Sequence, residues 1–143
     1  MPEITKYAQG TPSWLDLSTA DMAAAETFYG KLFGWTAKRE PAGEGRWYSM
    51  QSLKGKSVAG IMEQSAEQQA HGVPPSWSTY ITVHDVDATT GRVQGLGGTV
   101  VVPPMDVLDS GRMSVLRIRR GRSSASGSRT AISVPVWSTS TAP

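Results

Sequence analysis

The N-terminal third of the chain carries two hydrophobic periods in succession. Residues 13–19 alternate between apolar and polar side chains, which predicts a half-buried β-strand. Over residues 21–33 the apolar side chains recur at helical spacing, and this pattern predicts an amphipathic helix. Asp21 is suited to cap the start of that helix, and Gly34 is suited to end it in a left-handed conformation. A strand and a capped helix are therefore expected to open the fold.

The remaining turn and strand signals complete a first module. An N-terminal arm of residues 1–12 precedes it, and the module itself takes residues 13–64. It is predicted to close with three further strands, near 35–40, 46–53 and 57–64. The polar residues 65–75 are interpreted as a linker.

A second, partial module is predicted over residues 76–116. It begins with a strand, continues with a helix from Asp85 to about Leu96, and then has strand-like segments near 99–102 and 113–116. Residues 75–77, Pro-Ser-Trp, repeat the same three residues found at 12–14. The two copies of strand, helix and strands therefore indicate a weak internal repeat.

The string from Phe28 to Trp35, Phe-Tyr-Gly-Lys-Leu-Phe-Gly-Trp, is more specific than the helical periodicity. A strand, an aspartate-capped helix ending in this string and further strands resemble the first module of the vicinal-oxygen-chelate superfamily. That superfamily includes glyoxalase I, extradiol dioxygenases and bleomycin-resistance proteins. The resemblance implies an α+β fold in which paired βαβββ modules form a curled mixed sheet around a shared pocket, here with an incomplete second module.

Residues 9–17, Gln-Gly-Thr-Pro-Ser-Trp-Leu-Asp-Leu, resemble the start of tandem members of this superfamily that are often labelled hydroxylases. The resemblance covers about residues 7–116. It implies that the chain is the N-terminal half of a longer protein with two such domains.

The tail of residues 117–143 is basic and serine-rich and lacks an apolar period. Members of the superfamily usually have Asp-Pro-x-Gly and a closing strand at this point. Read from the third base of the Arg117 codon, the fixed bases permit Asp-Pro-Thr-Gly and, further on, Phe-Gly-Leu-Trp-Gln. We therefore predict that a frameshift produced the tail; the alternative is an authentic basic tail that touches nucleic acid or nothing. Residues 130–137 could still pair as an edge strand, where Pro135 is tolerated.

Composition narrows the possible classes of function. The chain has 143 residues, enough for one hydrophobic core, and it contains no cysteine and only two histidines. No apolar run of about 18 residues predicts a membrane span, and the first six residues contain no apolar signal core, so a cytoplasmic location is expected. The net charge of +2 combines −4 over residues 1–109 with +6 over residues 110–143.

The metal-using members of the superfamily coordinate a divalent ion through His, Glu or Gln from both modules. The resemblance implies ligand positions seven residues before each helix-capping aspartate, which are Trp14 and Ser78 here. Indole offers no lone pair, and a neutral serine hydroxyl is a poor ligand. In the first module's last strand only Glu63 could coordinate. We therefore predict no cofactor and no glyoxalase-type metal centre, unless another domain or chain supplies the ligands.

Candidate ligand-binding residues come from the predicted strands. Asp16 shares a face with Trp14 under strict alternation, and its carboxylate could act as a general base, pair with a cation or serve as a hydrogen-bonded strut. Aromatic side chains could hold a flat or cationic ligand by stacking, or simply pack against the sheet. The aromatic candidates are Trp47, Tyr48, Trp77 and Tyr80. The predicted ligand-binding set is Trp14, Asp16, Trp47, Ser78 and Tyr80, and no catalytic residue can be named.

The favoured function is therefore binding of a small aromatic or hydrophobic molecule. The alternative is a glyoxalase-, dioxygenase- or hydroxylase-like enzyme completed by a sister domain or a partner chain. A third possibility, nucleic-acid binding by the basic tail, is not favoured and would show a steep salt dependence. The missing closing strand would leave an unpaired sheet edge, so we expect a homodimer or a larger assembly. No membrane partner is expected.

Overall fold

The computed structural model describes residues 6–107, 111–119 and 131–139. The chain divides into two compact units. The first unit is Trp14–Ser78, and the second unit combines Met1–Ser13 with Thr79–Pro143.

The first unit contains the elements predicted for the first module, with one addition. They are β1 (Pro12–Thr19), α1 (Met22–Phe33), β2 (Thr36–Pro41), β3 (Trp47–Leu53), β4 (Lys56–Glu63) and the short helix α2 (Ala66–Ala70). The strands lie in the order β2-β3-β4-β1, with β4 and β1 parallel and the other pairs antiparallel.

Helix α1 begins and ends as its sequence predicts. The Asp21 carboxylate accepts a 2.8 Å hydrogen bond from the backbone N–H of Ala24, which satisfies one of the amides that lack a partner at a helix start. At the other end Gly34 takes the left-handed conformation, with φ of 73°, and donates to the carbonyl of Gly30. A side chain at this φ would be strained, which explains the glycine.

The core of the first unit lies between α1 and the sheet. Leu17 of β1, Met22 of α1 and Ile61 of β4 are buried together, and Ala25 and Tyr29 pack against them. Burying side chains of this size contributes about 1.5–3 kcal/mol each. Side chains alternate along a strand, so the sheet has an α1 face, which carries Leu17, and an opposite face, which we call the far face.

The second unit has the same succession of a strand, a helix and three strands, but the elements differ in length. Its elements are β5 (Ser76–Thr82), whose first three residues belong to the first unit, α3 (Val86–Val93), β6 (Thr99–Val107), β7 (Gly111–Arg119) and β8 (Ala131–Thr139). The strands lie in the order β5-β8-β7-β6. Asp85 caps α3 by accepting from Ala88 at 2.9 Å. The buried core is formed by valines and a leucine: Val83, Val86, Val93, Leu116 and Val136.

Strand β8 corrects a prediction. An edge strand was expected over residues 130–137, but β8 pairs antiparallel with β7 and parallel with β5. The edge assignment is wrong because Val136 is buried in the core and the parallel pairing begins there, directly after Pro135, which has no N–H to donate. Within the second unit, residues of the predicted tail thus supply the strand next to β5. The reading frame of that segment stays a prediction, and residues 120–130 lie outside the described chain.

Two smaller predictions also needed correction. The predicted linker contains α2, which has a capping box in which Ser65 and Gln68 exchange hydrogen bonds between side chain and backbone. Helix α3 ends at Val93 rather than near Leu96, because the backbone N–H of Gly98 turns back to the Val93 carbonyl at 2.9 Å. No helix in the described ranges is both long and apolar enough to cross a membrane. The cytoplasmic location stays a prediction.

Candidate functional site

Three polar groups meet on the far face of the first unit. Asp16 Oδ1 accepts one hydrogen bond from Trp14 Nε1 at 2.8 Å and another from the Tyr48 hydroxyl at 2.7 Å. Trp14 Nε1 also donates to the Tyr48 hydroxyl oxygen at 3.1 Å. All three side chains are half-buried. We call this arrangement the Trp14–Asp16–Tyr48 group.

Strand register explains why residues so distant in sequence meet. Asp16 of β1 lies opposite Gly60 of β4, and Met50 of β3 lies opposite the same glycine from the other side. A Cβ at Gly60 would lie 1.8 Å from the Tyr48 hydroxyl and 2.3 Å from Asp16 Oδ1. The missing side chain of Gly60 is therefore the space that the Tyr48 hydroxyl and the Asp16 carboxylate occupy.

The surroundings of the group are apolar with a few charges. Cross-strand partners share a face, so Met50 and Met62 flank Gly60 on the far face, and both are half-buried. On the neighbouring strand β2, Lys38 and Glu40 form an ion pair of 2.9 Å.

Of the predicted ligand-binding residues, Trp14 and Asp16 belong to this group and Trp47 does not, while the roles of Ser78 and Tyr80 stay predictions. Trp47 precedes Tyr48 in an unbroken strand and therefore lies on the α1 face, where its side chain is 45% exposed and its N–H donates to Glu63 Oε2. Ser78 is half-buried on β5. Tyr80 belongs to the second unit and packs edge-to-face against Trp137 at 6.4 Å.

Tyr48 is the residue whose role sequence reasoning missed. It was considered only as a stacking aromatic, whereas its hydroxyl donates a hydrogen bond to Asp16 Oδ1. The available signal was Gly60 within the apolar run of residues 58–62, because glycines inside strands often mark close approach of another group.

A groove lies on the α1 face of the first unit. It has a volume of about 430 Å³ and is lined by Leu15, Tyr29, Phe33, Trp35 and Trp77. Tyr29 stacks on Trp35 with ring centroids 5.6 Å apart and accepts a hydrogen bond from Trp77 Nε1 at 2.9 Å. Trp77 thus packs against α1 and does not join Tyr48 on the far face.

A chain of polar groups also runs beneath α1. Glu26 accepts hydrogen bonds from Arg39, the shortest at 2.6 Å, and from Ser49 Oγ at 2.5 Å. The hydrogen bond from Arg39 is the main reason that the pKa of Glu26 falls below its ordinary value, although burial opposes the shift. Fully buried Gln51 donates to Ser49 Oγ at 2.8 Å, while its own Oε1 accepts from no residue that the structure describes. This network holds α1 on the sheet.

The residues at the implied ligand positions do not fit the metal of the superfamily. Trp14 is committed as a donor to Asp16 and Tyr48, and Ser78 offers only a neutral hydroxyl. Glu63 accepts from the backbone of Trp47 on the α1 face, away from Asp16. Across the described ranges, no three His, Cys, Asp or Glu side chains lie close enough together to hold a metal ion.

Comparison with known proteins identifies the family. Residues 11–120 match the Glyoxalase/Bleomycin resistance protein/Dioxygenase superfamily. The chain belongs to this superfamily. The prediction made from the helix-ending string is therefore confirmed. The α+β fold expected from it is confirmed as well.

Curated relatives are similar over most of this chain. It is 47% identical over 119 residues to "Putative glyoxylase CFP32" of Mycobacterium tuberculosis, an alignment that covers 81% of this chain and 44% of the relative. It is 40% identical over 124 residues to "Anthracycline biosynthesis protein DnrV" of Streptomyces peucetius, covering 78% of this chain and 44% of the relative. The chain thus spans less than half the length of these relatives.

Solved structures show the same fold at low identity. Methylmalonyl-CoA epimerase from Mycobacterium tuberculosis aligns with a TM-score of 0.62 at 15% identity, covering 97% of this chain and 93% of the epimerase. A hypothetical protein from Bacillus halodurans aligns with a TM-score of 0.64 at 11% identity, covering 95% of this chain and 99% of that protein.

Proposed function

We propose that this superfamily domain binds a small aromatic molecule on the far face of the first unit, without a resident divalent metal ion. The observation that carries the proposal is the Trp14–Asp16–Tyr48 group. Binding sites combine apolar walls with a few convergent polar groups, and this arrangement supplies both.

The metal-free part of the proposal rests on the donor set. The first-module ligand position holds an indole N–H, which repels a cation and is already used as a hydrogen-bond donor. Asp16 is the only carboxylate in the group, and tight binding of a divalent ion needs several anionic or imidazole ligands.

One relative supports an aromatic ligand. DnrV is named for anthracycline biosynthesis, and anthracyclines contain a flat fused-ring system. Tryptophan and tyrosine side chains suit such rings, because offset or edge-on contacts add about 0.5–1.5 kcal/mol per pair beyond area burial.

The test is an NMR titration of the whole chain with naphthalene-2-methanol, a neutral flat probe. Shifts of the Trp14 indole N–H are expected, and Trp14→Leu should weaken binding about threefold to tenfold by removing one aromatic contact. Trp77→Leu is the matched control, because Trp77 lines the groove on the α1 face. If Trp77→Leu weakens binding and Trp14→Leu does not, the proposed location is wrong.

Metal stoichiometry tests the proposal that the domain has no resident divalent metal ion. After dialysis against Zn²⁺, Mn²⁺ or Ni²⁺ and then buffer, we expect no ion retained in proportion to the chain. One ion per chain at micromolar affinity or tighter would contradict a metal-free site.

An enzyme completed by further sequence is the second candidate. The observations that favour it are the name of the 47% identical relative and the chain's 44% share of that relative's length. The longer protein, with its second domain, should then turn over a glyoxalase-type substrate that this chain alone does not.

We also propose that the domain forms homodimers. Strand β2 is an edge strand, because it stands at the end of the sheet next to β3. All six of its residues are exposed. Exposed edge strands readily pair with other chains. Light scattering over a concentration range tests this, and a monomer at the highest concentration would contradict it.

A further inference from the structure

The two oxygens of Asp16 differ in their hydrogen bonding. Oδ1 accepts from both Trp14 and Tyr48, whereas Oδ2 accepts from no described residue. A carboxylate oxygen can accept two hydrogen bonds, so Asp16 retains capacity for a strong donor. Its partners fix Oδ1 in place, and the free oxygen is therefore held in a defined position.

The negative charge of Asp16 has no partner of opposite sign among the described residues. No lysine or arginine that the structure describes forms an ion pair with it, and Lys38, which lies on β2, is paired with Glu40. The hydrogen bonds from Trp14 and Tyr48 come from neutral groups. A half-buried carboxylate of this kind attracts a ligand cation and repels an anion.

The walls around Asp16 favour the same ligand. Trp14 and Tyr48 supply aromatic rings, which attract cations placed over their faces. Met50 and Met62 supply polarisable thioether side chains that adapt to flat hydrophobic surfaces. The ligand that fits these walls is flat and apolar, with one positive group at the end that meets Asp16.

We infer that the ligand of this site is an aromatic molecule bearing a protonated amine, whose ammonium group donates to Asp16 Oδ2. The inference rests on the proposed binding function and names its ligand class. The charge of Asp16 should weaken the binding of anionic aromatic molecules.

Three probes with one ring system test the inference on the whole chain. They are naphthalen-2-ylmethanamine, which is a cation at pH 7, the neutral naphthalene-2-methanol and the anion 2-naphthoate. We expect the amine to bind about tenfold or more tightly than the alcohol, as expected for one charge-assisted hydrogen bond, and 2-naphthoate to bind most weakly. The dissociation constants are measured by NMR titration at two salt concentrations.

The variant Asp16→Asn removes the negative charge of Asp16 and keeps the size of its side chain. It keeps an acceptor for Trp14 and Tyr48, so the preference for the amine over the alcohol should fall by about tenfold. Glu63→Gln is the matched control, since it removes a carboxylate on the α1 face. Chemical-shift spectra of each variant are recorded to check that it folds like the parent chain.

The outcomes separate this inference from the proposed function. Equal binding of amine and alcohol, or an amine preference that survives Asp16→Asn, overturns the ammonium inference and leaves aromatic binding intact. Failure of all three probes to bind overturns both. Loss of the preference in Glu63→Gln as well as in Asp16→Asn would reflect net charge alone and would also overturn the inference.

Discussion

The Tyr48 hydroxyl reaches over Gly60 to donate a 2.7 Å hydrogen bond to Asp16 Oδ1. This contact joins β3 to β1 across the intervening strand β4. It is possible only because residue 60 has no side chain. The Trp14–Asp16–Tyr48 group therefore depends on Gly60, because this glycine leaves room for the Tyr48 hydroxyl.

Gly60→Ala should destabilise the protein and disrupt the Trp14–Asp16–Tyr48 group. The new methyl would lie 1.8 Å from the Tyr48 hydroxyl, so the tyrosine ring must move and its hydrogen bond to Asp16 must break. Overpacking of this kind costs about 1–3 kcal/mol. Urea unfolding measures the free energy, and the Trp14 indole N–H shift reports the lost contact.

Gly91→Ala is the matched control for that substitution. Gly91 lies in α3, and a Cβ there would meet nothing within 4 Å. Alanine favours helix over glycine by about 1 kcal/mol, so the control should raise the free energy of unfolding. Equal effects of the two substitutions would show that steric crowding at Gly60 is not decisive.

The local elements could be predicted from the sequence because their causes are local. Asp21 and Asp85 cap helices as expected, and Gly34 ends α1 as expected. Strict alternation also placed Asp16 on the same face as Trp14, which the hydrogen bond between them confirms.

The contacts that build the candidate site could not be predicted in the same way. The meeting of Tyr48 with Asp16 depends on the register of β3 and β1 on β4, which no local pattern encodes. The same register explains Trp47: one residue before Tyr48, it lies on the other face. Strand β8 became an interior strand because Val136 gains burial among residues distant in sequence.

Tyr29 should be the main aromatic contact between α1 and the rest of the first unit. It packs on the Leu17–Met22–Ile61 core and contacts Trp35 and Trp77. Tyr29→Ala is expected to lower the free energy of unfolding by about 2–4 kcal/mol through the cavity it leaves. Tyr29→Phe removes only the acceptor of the Trp77 N–H and should cost about 1 kcal/mol or less.

Phe28→Ala serves as the control for ring removal on α1. Phe28 is adjacent in sequence but 58% exposed, so truncation should change stability by less than about 1 kcal/mol. Thermal and urea unfolding of the three variants test whether Tyr29→Ala causes the largest loss of stability. A larger loss at Phe28 than at Tyr29 would contradict the packing described for α1.

Val136→Asp should unfold or strongly destabilise the second unit. Val136 is 5% exposed and packs with Val83, Val86 and Leu116, so a carboxylate there would be buried without a partner. Ser138→Asp, on the same strand at a half-buried position, is the control and should cost much less. If both variants are as stable as the parent chain, β8 does not occupy this interior position.

Sequencing the encoding DNA across codons 115–128 tests the origin of the same segment. The frameshift hypothesis expects Asp-Pro-Thr-Gly and then Phe-Gly-Leu-Trp in the shifted frame. An interrupted or unrelated shifted frame would make the arginine-rich tail authentic.

Glu26 should make stability depend on pH below about 4.5. Hydrogen bonds from Arg39 and Ser49 lower the pKa of Glu26 from its ordinary value of 4.5 in the folded protein. A lowered folded-state pKa contributes stability that is fully present above pH 4.5 and is lost as the pH falls through the folded-state pKa. Glu26→Gln should therefore reduce the free energy of unfolding at pH 7 by about 1–3 kcal/mol, and the difference from the parent chain should shrink in acid.

Glu44→Gln, in a pair whose carboxylate is 82% exposed, should show a small difference at every pH. A difference at Glu26 that stays constant from pH 7 to pH 3 would mean that its contacts do not stabilise the charged carboxylate.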